Sequence, residues 1–190
     1  MTDERTGEAF ELGKRFSVVG RKLLVGEPAP PFTLECLNPS TMTIQQVRLT
    51  DSAGTVRLLN IVKSIDTPVC QAETLCWEKN RVECCDDFVL YTISMDLPFA
   101  LVRWMAEAGM QHIALSAHRS QFGRDYGVLL KESRLLQRAV FVITRNDRLA
   151  YVEYVPDQLK EPDYTKALKA VRHSVGTSAS NQEAGVNRMG

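Results

Sequence analysis

The sequence predicts an α/β domain: a central sheet with helices on both faces. Three observations lead there. The runs Val56–Val62, Phe88–Ser94 and Ala139–Thr144 are short, apolar and rich in β-branched and aromatic residues, as buried central strands are. Helical segments opened by Pro68 and by Pro98, the second closed by Gly109, alternate with these runs. The resulting order is hairpin, strand, helix, strand, helix, strand, hairpin, helix, which a layered sheet-and-helix architecture satisfies. At 190 residues the chain is long enough for one domain with a sizeable core.

Taken in order, Phe10 to Val19 alternates loosely about Gly13 and reads as an N-terminal hairpin. Gly26 to Pro31 is a loop. Phe32, Leu34 and Cys36 alternate as one face of a strand, which marks Cys36 as buried and inert. Val56–Val62 leads into a helix expected from Pro68 to Val82, and Phe88–Ser94 follows as a second central strand. Pro98 opens another helix that Gly109 ends. His112 to Ser116 is a short strand, and Gln121 to Tyr126 a helical turn stopped by Gly127. Ala139–Thr144, a turn at Asn146-Asp147, and Leu149 to Val155 form the last hairpin. Pro162 to His173 reads as a final helix with Tyr164, Leu168 and Val171 on one side. The domain is thus expected over 1–173, and the small, polar stretch 174–190 is expected to be a disordered tail.

Composition narrows the function classes. Lys plus Arg equals Asp plus Glu at 23 each, which points to neither nucleic acid nor an anionic membrane as partner. No apolar run approaches the ~20 residues that span a bilayer. The N-terminal residues MTDERTGEAF lack the apolar core of a secretory signal, so a cytoplasmic, thiol-reducing location is expected. The cysteines are Cys36, Cys70, Cys76, Cys84 and Cys85, an odd number that argues against a disulfide framework. There is no CxxC, and His112, His118 and His173 lie far from the cysteines, so neither a metal nor a cofactor is expected.

One cysteine stands apart. In Ser64-Ile65-Asp66-Thr67-Pro68-Val69-Cys70, Thr67-Pro68 reads as a helix start. Proline at the first helical position loses no hydrogen bond, and it pushes the residue before it out of the α region, where a threonine hydroxyl caps the helix. Cys70 then falls in the first turn, where unpaired N–H groups and the helix dipole favour an anion. A thiolate is such an anion, and it is the reactive form of cysteine.

The same stretch resembles the active-site segment of the bacterial thiol peroxidases, a branch of the peroxiredoxins. Asp96-Leu97-Pro98-Phe99-Ala100 followed by Arg103 resembles a second signature of that branch. Arg138-Ala139-Val140-Phe141-Val142-Ile143 is similar to the strand that carries the peroxiredoxin arginine, and Glu161-Pro162-Asp163-Tyr164 to the start of the family's last helix. The resemblance runs from about Phe10 to about Val171. It implies a thioredoxin-like fold with an added N-terminal β-hairpin. It implies Cys70 as the peroxidatic cysteine, with Thr67 and Arg138 hydrogen-bonding the thiolate and the incoming peroxide. The product is a sulfenic acid on Cys70, re-reduced by thioredoxin or another thiol. A homodimer is implied too, with Trp104 and Met105 either at its interface or in the core of one chain.

The chain departs from the family at two places. Lys63 stands where a proline is usual, seven residues before Cys70. Its charge would help hold a thiolate or an acidic substrate group, or extend idle into solvent, and the last is the plainer expectation. Met105 stands where the resolving cysteine is usual. Cys76 is an optional substitute, but six residues of helix rise about 9 Å and turn about 120°, while a disulfide wants Cα atoms about 4.4–6.8 Å apart. Such a bridge requires the first turns to unwind, as they do in peroxiredoxins. Cys84 and Cys85 lie roughly 20 Å from Cys70 by the same rise. The expected order of resolving partners is an external thiol, then Cys76, then Cys84 or Cys85. The leading function is a thiol-dependent peroxidase acting on hydrogen peroxide and organic hydroperoxides. The alternative is a peroxide-sensing or binding module with little turnover.

Overall fold

The computed structural model describes residues 3–84 and 87–176, the side chains of residues 82–84 excepted. Its frame is a seven-stranded sheet and a three-stranded one. The chain begins with the hairpin β1 (Glu4–Glu11) and β2 (Lys14–Val19). Leu12 and Gly13 both have positive φ and close it as a two-residue turn. The hairpin starts earlier than the sequence pattern shows because a bulge between Arg5 and Ala9, beside Gly7 at positive φ, breaks the alternation there. β3 (Thr33–Asn38) pairs with β4 (Thr43–Arg48), an edge strand whose residues are almost all exposed. Its polar sequence TIQQVR carries no burial signal, so sequence pattern alone misses it.

β5 (Val56–Ile61) is central, and all six of its residues are buried. Helix α1 (Pro68–Cys84) carries the chain to β6 (Phe88–Ser94), and α2 (Pro98–Glu107) carries it on to β7 (Ile113–Ser116). β5, β6 and β7 are parallel, so both connections are crossovers of the kind that place their helices on one face. The short α3 (Phe122–Asp125) precedes β8 (Leu129–Leu130), a two-residue strand on the edge of the N-terminal hairpin. β9 (Ala139–Ile143) returns antiparallel to β5, β10 (Leu149–Tyr154) antiparallel to β9, and α4 (Tyr164–Gly176) closes the fold. The large sheet runs β10-β9-β5-β6-β7-β3-β4. α4 extends to Gly176, past the expected His173, because Val175 still packs against the core. The rest of the expected tail lies outside the described residues.

The core has two layers. Trp77 of α1 and Ala167, Leu168 and Val171 of α4 pack on Val56, Leu58, Leu90, Val140 and Val142. The opposite strand face, with Leu59, Ile61, Tyr91, Ile93 and Phe141, is covered by Phe32, Phe122 and Tyr126. Helices do lie on both faces, but the second face has only the short α3, and loops do most of the covering. α2 packs Leu101, Trp104 and Met105 against Ile65 and Met110. Among the described residues no helix is long and apolar enough to cross a membrane.

Candidate active site

The sheet register builds the site. Ile61, the last residue of β5, pairs with Ala139, the first of β9. Arg138 therefore stands beside the point where the chain leaves β5 for the loop that ends at Cys70. This is the carboxyl end of parallel strands, where open α/β sheets gather their functional groups.

The loop forms as the local signals require. The Thr67 hydroxyl caps α1 by accepting the Cys70 N–H at 3.4 Å, and it donates its own proton to the Ser64 carbonyl at 3.2 Å. Pro68 is the first helical residue, which puts Cys70 third. The Asp96 carboxylate, from the second signature segment, accepts the Ile65 N–H at 3.0 Å and the Ser64 hydroxyl at 3.2 Å. Two segments distant in sequence thus hold one loop.

Cys70 is fully buried and unbonded to any other cysteine. Arg138 Nη2 reaches its sulfur at 3.4 Å and also donates to the Gln158 carbonyl at 3.0 Å. The Arg138 backbone N–H donates to Gln158 Oε1 at 2.9 Å, so Gln158 holds both ends of the arginine. Nη1 of Arg138 is ion-paired with Glu73, and both side chains are buried. The structure therefore brings together three residues singled out in the sequence, Thr67, Cys70 and Arg138, and adds Glu73 and Gln158. A signal for Glu73 exists in its spacing, since it follows Cys70 by three residues and so shares its helix face. The buried stripe of α1 is Cys70, Glu73, Thr74 and Trp77, half polar, so an apolar-face reading passes over it. Nothing local marks Gln158.

A buried polar chain supports the same helix. Thr74 Oγ1 donates to the Cys70 carbonyl at 2.8 Å and accepts from Asn60 Nδ2 at 3.4 Å. Asn60 Nδ2 also reaches Thr92 Oγ1 at 3.2 Å, and Thr92 Oγ1 lies 2.8 Å from His112 Nε2. The other ring nitrogen of His112 pairs with Glu78. Burial opposes the Glu78 charge, but bonds to His112 and Arg81 outweigh it and hold that carboxyl at about 2. Burial pushes His112 below its ordinary value, against the pull of Glu78. Neutral His112 then donates from Nδ1 to Glu78 and accepts at Nε2 from Thr92.

The remaining sequence candidates are placed as follows. Lys63 does not extend idle into solvent: its ammonium pairs with Glu11 of β1 and lies 5.7 Å from the Phe16 ring. The reason is the hairpin, which lays an acid over the start of the loop. Cys36 is half-buried rather than buried, and burial pushes its thiol up, away from the reactive form. Cys76 is partly exposed, accepts from Asn80 Nδ2 at 3.3 Å and adjoins Tyr164. It shares an unbroken α1 with Cys70. Cys85 and the side chain of Cys84 lie outside the described residues. Trp104 and Met105 are both buried within the chain, in one cluster with Ile65 of the loop, so the core-packing alternative describes them.

Comparisons with known proteins bear on the family and the fold. Residues 24–168 match the family model described as Redoxin. A thiol peroxidase of Halalkalibacterium halodurans is 44% identical over 162 residues, which cover 84% of this chain and 94% of the relative. The thiol peroxidase of Bacillus subtilis is 38% identical over 162 residues, covering 84% and 93%. Among solved structures, a peroxiredoxin-like protein from Aquifex aeolicus superposes with a TM-score of 0.77 at 28% identity, covering 89% of this chain and 98% of that one. A thioredoxin-like fold with an N-terminal hairpin, a signature loop ending in cysteine, and relatives of this identity across most of both chains together establish that the chain belongs to the redoxin family and, within it, to the bacterial thiol peroxidases, enzymes of the peroxiredoxin type.

Proposed function

We propose that this protein reduces hydrogen peroxide and organic hydroperoxides through Cys70. The observation that carries the reading is the Arg138 guanidinium at 3.4 Å from a buried first-turn sulfur. The Cys70 thiolate attacks one oxygen of the peroxide. An S–O bond forms, the O–O bond breaks, and the electron pair leaves on the second oxygen, which departs as alcohol or water once protonated. Sulfur is oxidised to sulfenic acid and the peroxide is reduced. Arg138 stabilises both the thiolate and the charge that builds on the leaving oxygen. Thr67, at the cap, orients the peroxide against the sulfur.

Because Met105 occupies the place of the family's resolving cysteine, the sulfenic acid is resolved by an external thiol, thioredoxin or a small thiol. Cys76 is an optional internal partner when α1 unwinds. The free thiols of Cys36, Cys70 and Cys76 fit a reducing compartment, the cytoplasm. The assembly is a homodimer, for which the exposed Leu97 and Phe99 at the start of α2 supply an apolar edge. Full burial of Cys70 favours one second reading, a peroxide sensor whose oxidised cysteine turns over slowly.

Peroxide consumption with thioredoxin and its reductase tests the proposal. Continuous turnover that Cys70→Ser abolishes and Cys36→Ser leaves intact is the expected result. Consumption of a single equivalent supports the sensor, and turnover by the Cys70→Ser protein at the parent rate overturns both.

A further inference from the structure

Cys70 has no solvent exposure, so a thiol reductant larger than a peroxide reaches its sulfur only after the loop before α1 opens. What holds that loop shut is visible where it begins, from two sides. Asp96 pins Ser64 and Ile65 from one side. From the other side the tip of the N-terminal hairpin grips it: Glu11 pairs with Lys63, and the Lys63 ammonium lies over the face of the buried Phe16 ring. The residue next to Glu11 grips the other half of the site. The Phe10 N–H donates to the Pro156 carbonyl at 2.8 Å, and the Gln158 N–H donates to the Phe10 carbonyl at 2.9 Å. Gln158 in turn holds Arg138 at backbone and guanidinium. Two consecutive hairpin residues thus tie together the loop that presents the sulfur and the segment that presents the arginine. The Lys63 and Glu11 side chains keep only 13% and 23% exposure, so their attraction is screened less than that of a surface pair.

We infer that Glu11 and Lys63 form a latch that holds the Cys70 loop closed for reaction with peroxide and must release before a thiol reductant can reach the oxidised sulfur. They are positioning residues, acting through the loop. The inference rests on the reading that Cys70 forms a sulfenic acid. The sulfenic hydroxyl leaves as water when the reductant's thiol forms an S–S bond to Cys70. A second thiol then breaks that bond and returns Cys70 as thiol. A looser latch favours the open loop, speeds this second half-reaction and slows the first.

The test is stopped-flow fluorescence from Trp77 and Trp104, following oxidation by hydrogen peroxide and re-reduction by dithiothreitol separately. In Glu11→Gln and Lys63→Met, re-reduction is expected to rise by about threefold to tenfold, the population shift that loss of a partly buried pair allows. Oxidation is expected to fall by a similar factor. The exchanged protein, Glu11→Lys with Lys63→Glu, restores both rates toward the parent. Raising the salt concentration moves the parent toward the single variants and leaves the variants unchanged. Re-reduction that is unchanged in the single variants, or an exchanged protein that behaves like them, overturns the latch. A parent Cys70 that peroxide does not oxidise at all refutes the underlying peroxidase reading instead, so the two failures are distinct.

Discussion

Arg138 Nη2 and Cys70 Sγ lie 3.4 Å apart although 68 residues separate them in the chain. The other terminal nitrogen of the same guanidinium is paired with Glu73, one helical turn beyond the cysteine. The planar guanidinium thus lies between the Glu73 carboxyl group and the Cys70 sulfur. Only a fork-shaped group serves both at once. Arg138→Lys keeps the charge but offers a single ammonium. The second-order rate of Cys70 oxidation is expected to fall by about 100-fold, comparable to loss of one oriented donor at a developing charge. Stopped-flow oxidation with hydrogen peroxide measures this, and a loss under threefold contradicts the role.

Glu73→Gln removes the only carboxylate the structure pairs with the buried guanidinium, among the described residues. Breaking a buried pair from one side costs on the order of 3–5 kcal/mol. Urea unfolding of the reduced protein is expected to show a loss of that size, with slower oxidation as Arg138 drifts from the sulfur. A stability change below about 1 kcal/mol removes Glu73 from the account.

Met105 lies in one apolar cluster with Ile65, the second residue of the loop that ends at Cys70. Met105→Cys should therefore create an internal resolving thiol once the loop opens. After one equivalent of peroxide, peptide mapping is expected to show a disulfide between Cys70 and the thiol introduced at position 105. Turnover should then depend less on an external small thiol. Persistence of free thiol at position 105 argues that the loop does not open toward α2.

Acid should destabilise the protein in two stages. His112 titrates below its ordinary 6.5 in the folded chain, so the unfolded state binds the extra proton first, and stability falls as pH drops through 6.5. Glu78 is held at about 2 against an ordinary 4.5, so its contribution is present above 4.5 and is lost between 4.5 and 2. Urea midpoints measured from pH 8 to 3 are expected to decline across both windows. His112→Gln should flatten the upper one and also weaken the lower, because Glu78 then loses the histidine bond and keeps its bond to Arg81. An unaltered upper decline assigns it to other groups.

Much of the fold was legible because its signals are local. Pro68 and Thr67 mark a helix start within one turn, and the run Phe88–Ser94 coincides with β6. The cap and the placement of Cys70 third in α1 follow from the same few residues. β4 escaped notice because an edge strand stays exposed and shows no alternation. The start of β1 escaped because a bulge shifts its pattern by a residue. Glu73 escaped because a buried charge is rare without a partner, and its partner lies 65 positions further along the chain.

By itself the sequence determined where α1, α2 and the central strands β5, β6 and β9 begin, which cysteine stands at a helix N-terminus, and which family the signature loop resembles. Each of these depends on neighbours in the chain, through backbone sterics, capping and hydrophobic spacing. Only the tertiary structure decided that the register Ile61–Ala139 sets Arg138 against Cys70, that Glu73 and Gln158 hold the arginine, and that Lys63 answers to Glu11. Those pairings join residues far apart in the chain. The packing of whole elements fixes their distances, and no local pattern of residues carries that information.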